Sequence, residues 1–395
     1  MSLQIGKVRN IPIRLHFTLI LAFFLITWSI STGFMPYYYP TLDPLNYWIM
    51  GSLGSLILFV SVLLHELSHS IVAKKFGIQV KQILLFIFGG VADIEEEPKE
   101  FSKEFKIAFA GPVASFALSS LFALLWGLTS LLGWFALEHP FLPALLVANG
   151  IFLYAAILNL VLGLFNLIPA FPMDGGRILR SILVRKKKSY DQATRISVRL
   201  GIIISYIFFG LGFLIILSGS FVGGMWILLI GWFLQNGAQS YIYQYDVMQV
   251  LSRIKIKDIM KPNVISVNEN LAIDNVLTNY FNVYMKSAFP VVDDGGRFVG
   301  TIPLKTLFLV PEQKRHMTVV RDIMIDKKNT VYMDMDDTAE QALANMIKKH
   351  IDKIYICNAE GIPIGVVSKT DILEASDDLK MLIRETNRSS MANNK

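Results

Sequence analysis

The chain has 395 residues, of which 53% are hydrophobic and only 17% charged, whereas a typical soluble domain carries about 25% charge. This argues against an ordinary soluble enzyme, and a 12% aromatic share argues against disorder. The single cysteine, Cys357, excludes both an intramolecular disulfide and a cysteine-based zinc cluster.

The net charge of +6 is informative only by position. Lys and Arg are absent from residues 15–73, 107–176 and 200–252. Each block is long enough for two crossings of a bilayer, since a spanning helix needs about 20 apolar residues. A turn-rich patch without basic residues divides each block: Gly33 to Asn46, the surroundings of His139 and Pro140, and Gly219 to Gly224. The pattern predicts a polytopic α-helical membrane protein with six spanning helices, near 15–32, 47–73, 107–133, 143–168, 200–218 and 222–243. Lys7, Arg9 and Arg14 precede the first run, but no A-x-A-like cleavage site follows. It is therefore read as a retained helix and not as a signal peptide. The intervening segments are basic, with Lys74, Lys75, Lys99 and Lys106 in one and Arg177 to Arg199 in the other. The positive-inside rule puts these segments and both termini in the cytoplasm of a multi-pass protein of the cell membrane.

Two acidic residues remain at membrane depth, Glu66 and Asp174, and a carboxylate there is expected to have a partner or a metal. Glu66 lies in His65-Glu66-Leu67-Ser68-His69. Positions i and i+4 share a helix face, so both imidazoles can reach one metal ion, with Glu66 beside them as general base. This is the H-E-x-x-H signature of zinc hydrolases. A catalytic zinc site needs a third protein ligand. His16 begins the first helix on the correct side but has no motif around it. Asp174 is the stronger candidate, expected to end the fourth helix at the level of His69, within Asn166-Leu-Ile-Pro-Ala-Phe-Pro-Met-Asp174-Gly-Gly-Arg177.

Between the second and third helices, residues 79–94 are rich in β-formers and too short to span. They read as a membrane-embedded β-hairpin beside the active helix. An extended substrate is expected to pair with Phe88, Gly89, Gly90 and Val91 through main-chain bonds.

These motifs, together with Phe109-Ala-Gly-Pro112, resemble the site-2 proteases, zinc metalloproteases that cut within the membrane; the resemblance covers roughly residues 1–240. It implies that His65, His69 and Asp174 bind one Zn2+, that Glu66 activates water, and that Asn166 helps hold the scissile carbonyl. Ser115 departs from the asparagine that many members carry three residues after Gly-Pro.

After Leu251 the composition changes: 20 of the 37 basic and 19 of the 31 acidic residues fall in 251–395. This near balance removes a nucleic-acid-binding face. Lys257-Asp-Ile-Met260 recurs as Arg321-Asp-Ile-Met324, and Phe289–Gly300 pairs with Lys353–Gly365. Each unit reads as strand, helix, paired strands and helix. The tandem α/β repeat resembles a pair of cystathionine-β-synthase (CBS) domains over 255–378. In that family a hydroxyl and an aspartate three residues later contact a nucleotide. Ser368 and Asp371 match this pattern, whereas the first unit has Pro303 and Thr306 in their places. The resemblance thus implies one adenine-nucleotide site, for ATP or AMP, and a homodimer through the pair. The expected organisation is a protease domain over 1–245, a linker over 246–254, the CBS pair and a disordered polar tail over 379–395.

The reading is a zinc-dependent intramembrane endopeptidase acting on transmembrane substrates near the cytoplasmic face. A CBS-regulated ion channel or transporter is the alternative; it explains the architecture but not the H-E-x-x-H spacing.

Overall fold

The computed structural model describes residues 2–376 apart from 88, 95–97, 99, 136–137 and 350. Phe88 and the expected tail over 379–395 lie outside the described residues. The chain divides into two units, Met1–Ile242 and Tyr243–Lys395.

The first unit opens on strands β1 (Ser2–Val8) and β2 (Ile11–His16). Arg9 and Asn10 turn them, both at positive φ, which gives the backbone twist that suits a two-residue hairpin. The first helix therefore begins at Thr18 and not at 15. Ile11 and Ile13 are buried while Pro12 and Arg14 are less so, a period-two pattern that runs without a break into the apolar helix.

The remaining elements of this unit are α1 (Thr18–Tyr38), α2 (Pro44–Lys75), β3 (Val80–Phe86), β4 (Gly89–Ile94), α3 (Phe101–Phe135), α4 (Leu142–Asn166), α5 (Asp174–Arg185), α6 (Tyr190–Leu217) and α7 (Phe221–Leu251). All the helices except α5 are long and apolar enough to cross a membrane, six in the described residues. Their burial is inverted relative to a soluble protein. Phe24, Leu124, Trp134 and Leu214 are exposed, while small residues occupy the helix contacts. A Cβ on Gly51 would stand 2.1 Å from Ser31 Oγ, and one on Gly163 2.9 Å from Phe116. Where lipid is the solvent, association depends on such close backbone approach.

The predicted hairpin is half of a larger sheet, ordered β1-β2-β3-β4. β2 runs parallel to β3, with Ile13 opposite Ile83, and β3 runs antiparallel to β4, with Leu85 opposite Gly90. Ile11, Ile83 and Leu85 pack with Ala73 of α2 and Ile107 of α3. This anchors β2 and β3 and leaves β1 and β4 as the two edges of the sheet.

The aspartate motif also differs from its expected form. α4 stops at Asn166, residues 167–173 are irregular, and Asp174 opens α5 instead of closing α4. Pro169 and Pro172 cannot continue a helix. Gly175 and Gly176 then allow α5 to start against the loop, since Cβ atoms there would fall within 2.2–2.6 Å of the backbone of Ile168, Leu167, Phe171 and Ala170.

In the second unit, residues 246–251 continue α7, and Val250, Leu251 and Ile254 join Ile256, Ile354, Ile356 and Val367 in one core. Two four-stranded sheets follow, and the repeats exchange strands. Lys261–Pro262 of the first repeat pairs with Pro363–Ser368 of the second, while Ile325–Asp326 of the second pairs with Phe298–Pro303 of the first. This reciprocal edge pairing joins the two repeats, together with packing of Phe298 on Tyr355 and Cys357.

Candidate metal centre

The H-E-x-x-H segment lies on α2 and places His65 and His69 one turn apart, both buried. Asp174, the first residue of α5, reaches them across the bundle. Its Oδ2 stands 3.0 Å from Nε2 of each imidazole. The three ligand atoms lie within 4.8 Å of one another, the group of this kind found among the described residues.

The other ring nitrogens decide what this arrangement can bind. His69 Nδ1 lies 2.6 Å from the carbonyl oxygen of Ile107. A carbonyl only accepts, so the hydrogen is on Nδ1 and the neutral ring directs a lone pair from Nε2. His65 Nδ1 is likewise engaged, 2.8 Å from Ser115 Oγ. A lone pair facing a carboxylate oxygen is repulsive without a proton or cation between them. Two imidazoles and one carboxylate, each imidazole held from behind, form the donor set of a catalytic zinc site with an open position. Gly111 of α3 keeps the space clear: a Cβ there would fall 2.2 Å from His69 Nε2 and 2.5 Å from His65 Nε2. The residues fit a zinc ion.

Glu66 sits between this group and the sheet edge. A Cβ on Gly90 would meet its Cγ at 2.6 Å. Gly89, Gly90 and Val91 thus begin the edge strand that borders Glu66. Asn166 closes α4 with its amide donating to Leu162 O at 3.0 Å, an intrahelical bond and not one to the metal group. His16 pairs with Thr18 Oγ1 at 2.9 Å, also outside that group.

Two contributors were not legible in sequence. Ile107 acts through its backbone and leaves no side-chain signal. Gly111 belongs to the Gly-Pro run, but its steric role appears only in three dimensions. Ser115, the departure noted above, makes the polar contact with His65.

In the second unit, Ser368 and Asp371 bond each other. Asp371 Oδ2 accepts from Ser368 N at 2.8 Å and from its hydroxyl at 2.6 Å, at the start of the helix after Ser368. Lys261 Nζ stands 2.7 Å from Asp371 Oδ1. Burial pushes the Asp371 carboxyl up, but the hydrogen bonds from Lys261 and Ser368 outweigh it and hold the group below the usual carboxylate range. The pair borders a cavity of about 190 Å³ that Lys286, Phe289, Lys353 and Tyr355 also line.

Comparison with known proteins agrees with these features. Residues 53–139 and 146–208 match Peptidase family M50, and 256–311 and 320–378 each match the CBS domain. The zinc metalloprotease MJ0392 of Methanocaldococcus jannaschii is 33% identical over 380 residues, covering 96% of this chain and 97% of the relative. Rip3 of Mycobacterium tuberculosis is 30% identical over 376 residues, 95% and 93% of the two chains. The solved site-2 protease from Methanocaldococcus jannaschii is 34% identical, covers 61% of this chain and 94% of its own, and superposes with a TM-score of 0.39. An H-E-x-x-H helix with a converging aspartate, in a six-helix unit joined to a CBS pair, places this chain in the site-2 protease family, Peptidase M50, as a multi-pass zinc metalloprotease of the membrane.

Proposed function

We propose that this protein is an endopeptidase that cuts transmembrane substrates near the cytoplasmic face, with His65, His69 and Asp174 holding one zinc ion. The observation that carries the reading is the convergence of both Nε2 atoms and Asp174 Oδ2 beside a half-buried Glu66. A bound zinc supplies Lewis acidity to the scissile carbonyl and to water. Glu66 takes the proton from the attacking water and returns it to the leaving amine. The exposed edge of β4 receives the substrate as an added strand, which holds it extended and its peptide bond accessible. Asn166, at the end of α4, contributes to holding the carbonyl. The cytoplasmic side of the cut and of both termini follows from the basic segments at 74–106 and 177–199. A second part of the proposal is regulatory: an adenine nucleotide binds at Ser368 and Asp371, where Lys261, Lys286 and Lys353 supply positive charge for its phosphates.

One assay tests these statements. The full chain is reconstituted in vesicles with a transmembrane substrate, and products are read by mass spectrometry. Wild type should cut in the cytoplasmic third of the substrate, and Glu66→Gln should give no product. ATP or AMP should change the wild-type rate several-fold, within the range of about 1–3 kcal/mol typical of coupled sites, and leave Asp371→Ala unchanged. Cleavage by Glu66→Gln removes the general-base assignment, and a cut at the outer end removes the sidedness. An equal nucleotide response in both proteins, or none in either, removes the regulatory part alone.

A further inference from the structure

The most deeply buried charges among the described residues do no chemistry in the mechanism above. Arg180 of α5 is wholly buried and Glu104 of α3 nearly so, with side-chain exposures of 0% and 1%. Arg180 Nε donates to Glu104 Oε1 at 2.7 Å, and Nη1 bonds the hydroxyl of Tyr241 on α7. The guanidinium also lies over the rings of Tyr190 and Phe171, at 4.7 and 4.9 Å from their centroids. Glu104 stands in the first turn of α3, where the helix dipole favours an anion. A buried pair of this kind often contributes little net stability over apolar replacements, and one attested use is to specify geometry.

The geometry it specifies leads to the metal. α3 carries Ile107 O and Ser115, which hold the imidazoles from behind, and Gly111, which borders their Nε2 atoms. α5 carries Asp174 at its first residue, after a loop that is irregular over 167–173. Two links join the helices, one of them through the imidazoles. Asp174 lies at the Gly111 end, where the imidazoles sit, and Arg180 meets Glu104 at the other end. The two links are six residues apart on α5 and seven on α3, about 9 Å and about 10.5 Å along the respective axes. A two-point attachment fixes the register of α5 against α3. Without the Arg180 end, α5 is held against this frame at its start alone, by Asp174 and the packing of Gly175 and Gly176 on the loop.

We infer that Arg180, through Glu104 and Tyr241, is a positioning residue that sets Asp174 against His65 and His69. The inference rests on the ligand assignment proposed above, and its test separates the two: failure to bind metal in wild type contradicts the ligands, while the variants address Arg180 alone. The full chain, purified in detergent, is compared with Arg180→Met, Arg180→Lys, Tyr241→Phe and the double variant Arg180→Met/Glu104→Leu. The double variant leaves no lone buried charge. Zinc affinity is measured against a chromophoric chelator, and Co2+ is used as a spectroscopic probe of ligand geometry. The double variant should melt within a few degrees of wild type yet bind zinc about 10–100-fold more weakly, the usual cost of losing outer-shell support. Its Co2+ bands should shift. Arg180→Lys, which keeps charge without the planar fork, should recover part of the affinity, and Tyr241→Phe should lose a few-fold. Wild-type zinc affinity and Co2+ bands in the double variant overturn the inference. Should the double variant not fold, unchanged Co2+ bands in both Arg180→Lys and Tyr241→Phe overturn it instead.

Discussion

At Gly111, one added methyl group would stand 2.2 Å from His69 Nε2, in the space the ligand atoms face. Gly→Ala inside a helix otherwise favours the helix by about 1 kcal/mol. The clash with two buried imidazoles opposes that gain, and Gly111→Ala should weaken zinc binding at least roughly ten-fold, as for other changes to the groups that orient metal ligands. Equal zinc affinity in both proteins would show that the imidazoles are free to move aside. Side-chain chemistry at this scale was largely readable in advance. His65, Glu66 and His69 declare themselves by spacing, and Asp174 by being a charge where charge is costly. What the backbone contributes was not readable, because the carbonyl of Ile107 is the same group in every residue. Asn166 is the opposite case: motif resemblance singles it out, and the structure ties its amide to Leu162.

Elements were legible where length and hydropathy decide them and illegible where partners do. The six long helices follow from apolar runs that only a bilayer accommodates. The strands over 2–16 are not marked in the sequence, and only residues 15–16 overlap the expected first helix: the alternating isoleucines of β2 abut an apolar stretch, and its pairing partner β3 is 70 residues downstream. α5 was missed for a related reason: the prolines that end α4 look like a simple stop, and only the close packing of Gly175 and Gly176 lets a new helix start at Asp174. The edge position of β4 carries a prediction about substrates. In an added strand, alternate backbone N–H groups bond to the edge and the others point away. N-methylation should therefore slow cleavage with a period of two along a synthetic substrate. The sensitive positions should lose about 1 kcal/mol each, roughly five-fold in rate, the net value of one backbone hydrogen bond. Equal losses at adjacent positions would contradict strand addition.

For the whole molecule, the charge map and the internal repeat gave the division into a membrane unit and a tandem CBS unit, and the family matches cover both. The strand exchange between repeats was not legible, since the two-residue strands at 261–262 and 325–326 have no pattern of their own and are defined by what they pair with. The channel alternative offered by the same architecture gives way to the family match and to the convergence of His65, His69 and Asp174. That convergence is tested most directly by metal content. Zinc per chain is measured by atomic emission on protein purified in detergent, for wild type, His65→Ala, Asp174→Ala and Glu66→Gln. The account predicts about one zinc in wild type and in Glu66→Gln, as for a three-ligand catalytic site, with loss in both ligand variants. Zinc retained at the wild-type level in Asp174→Ala, or absent from wild type, would contradict it.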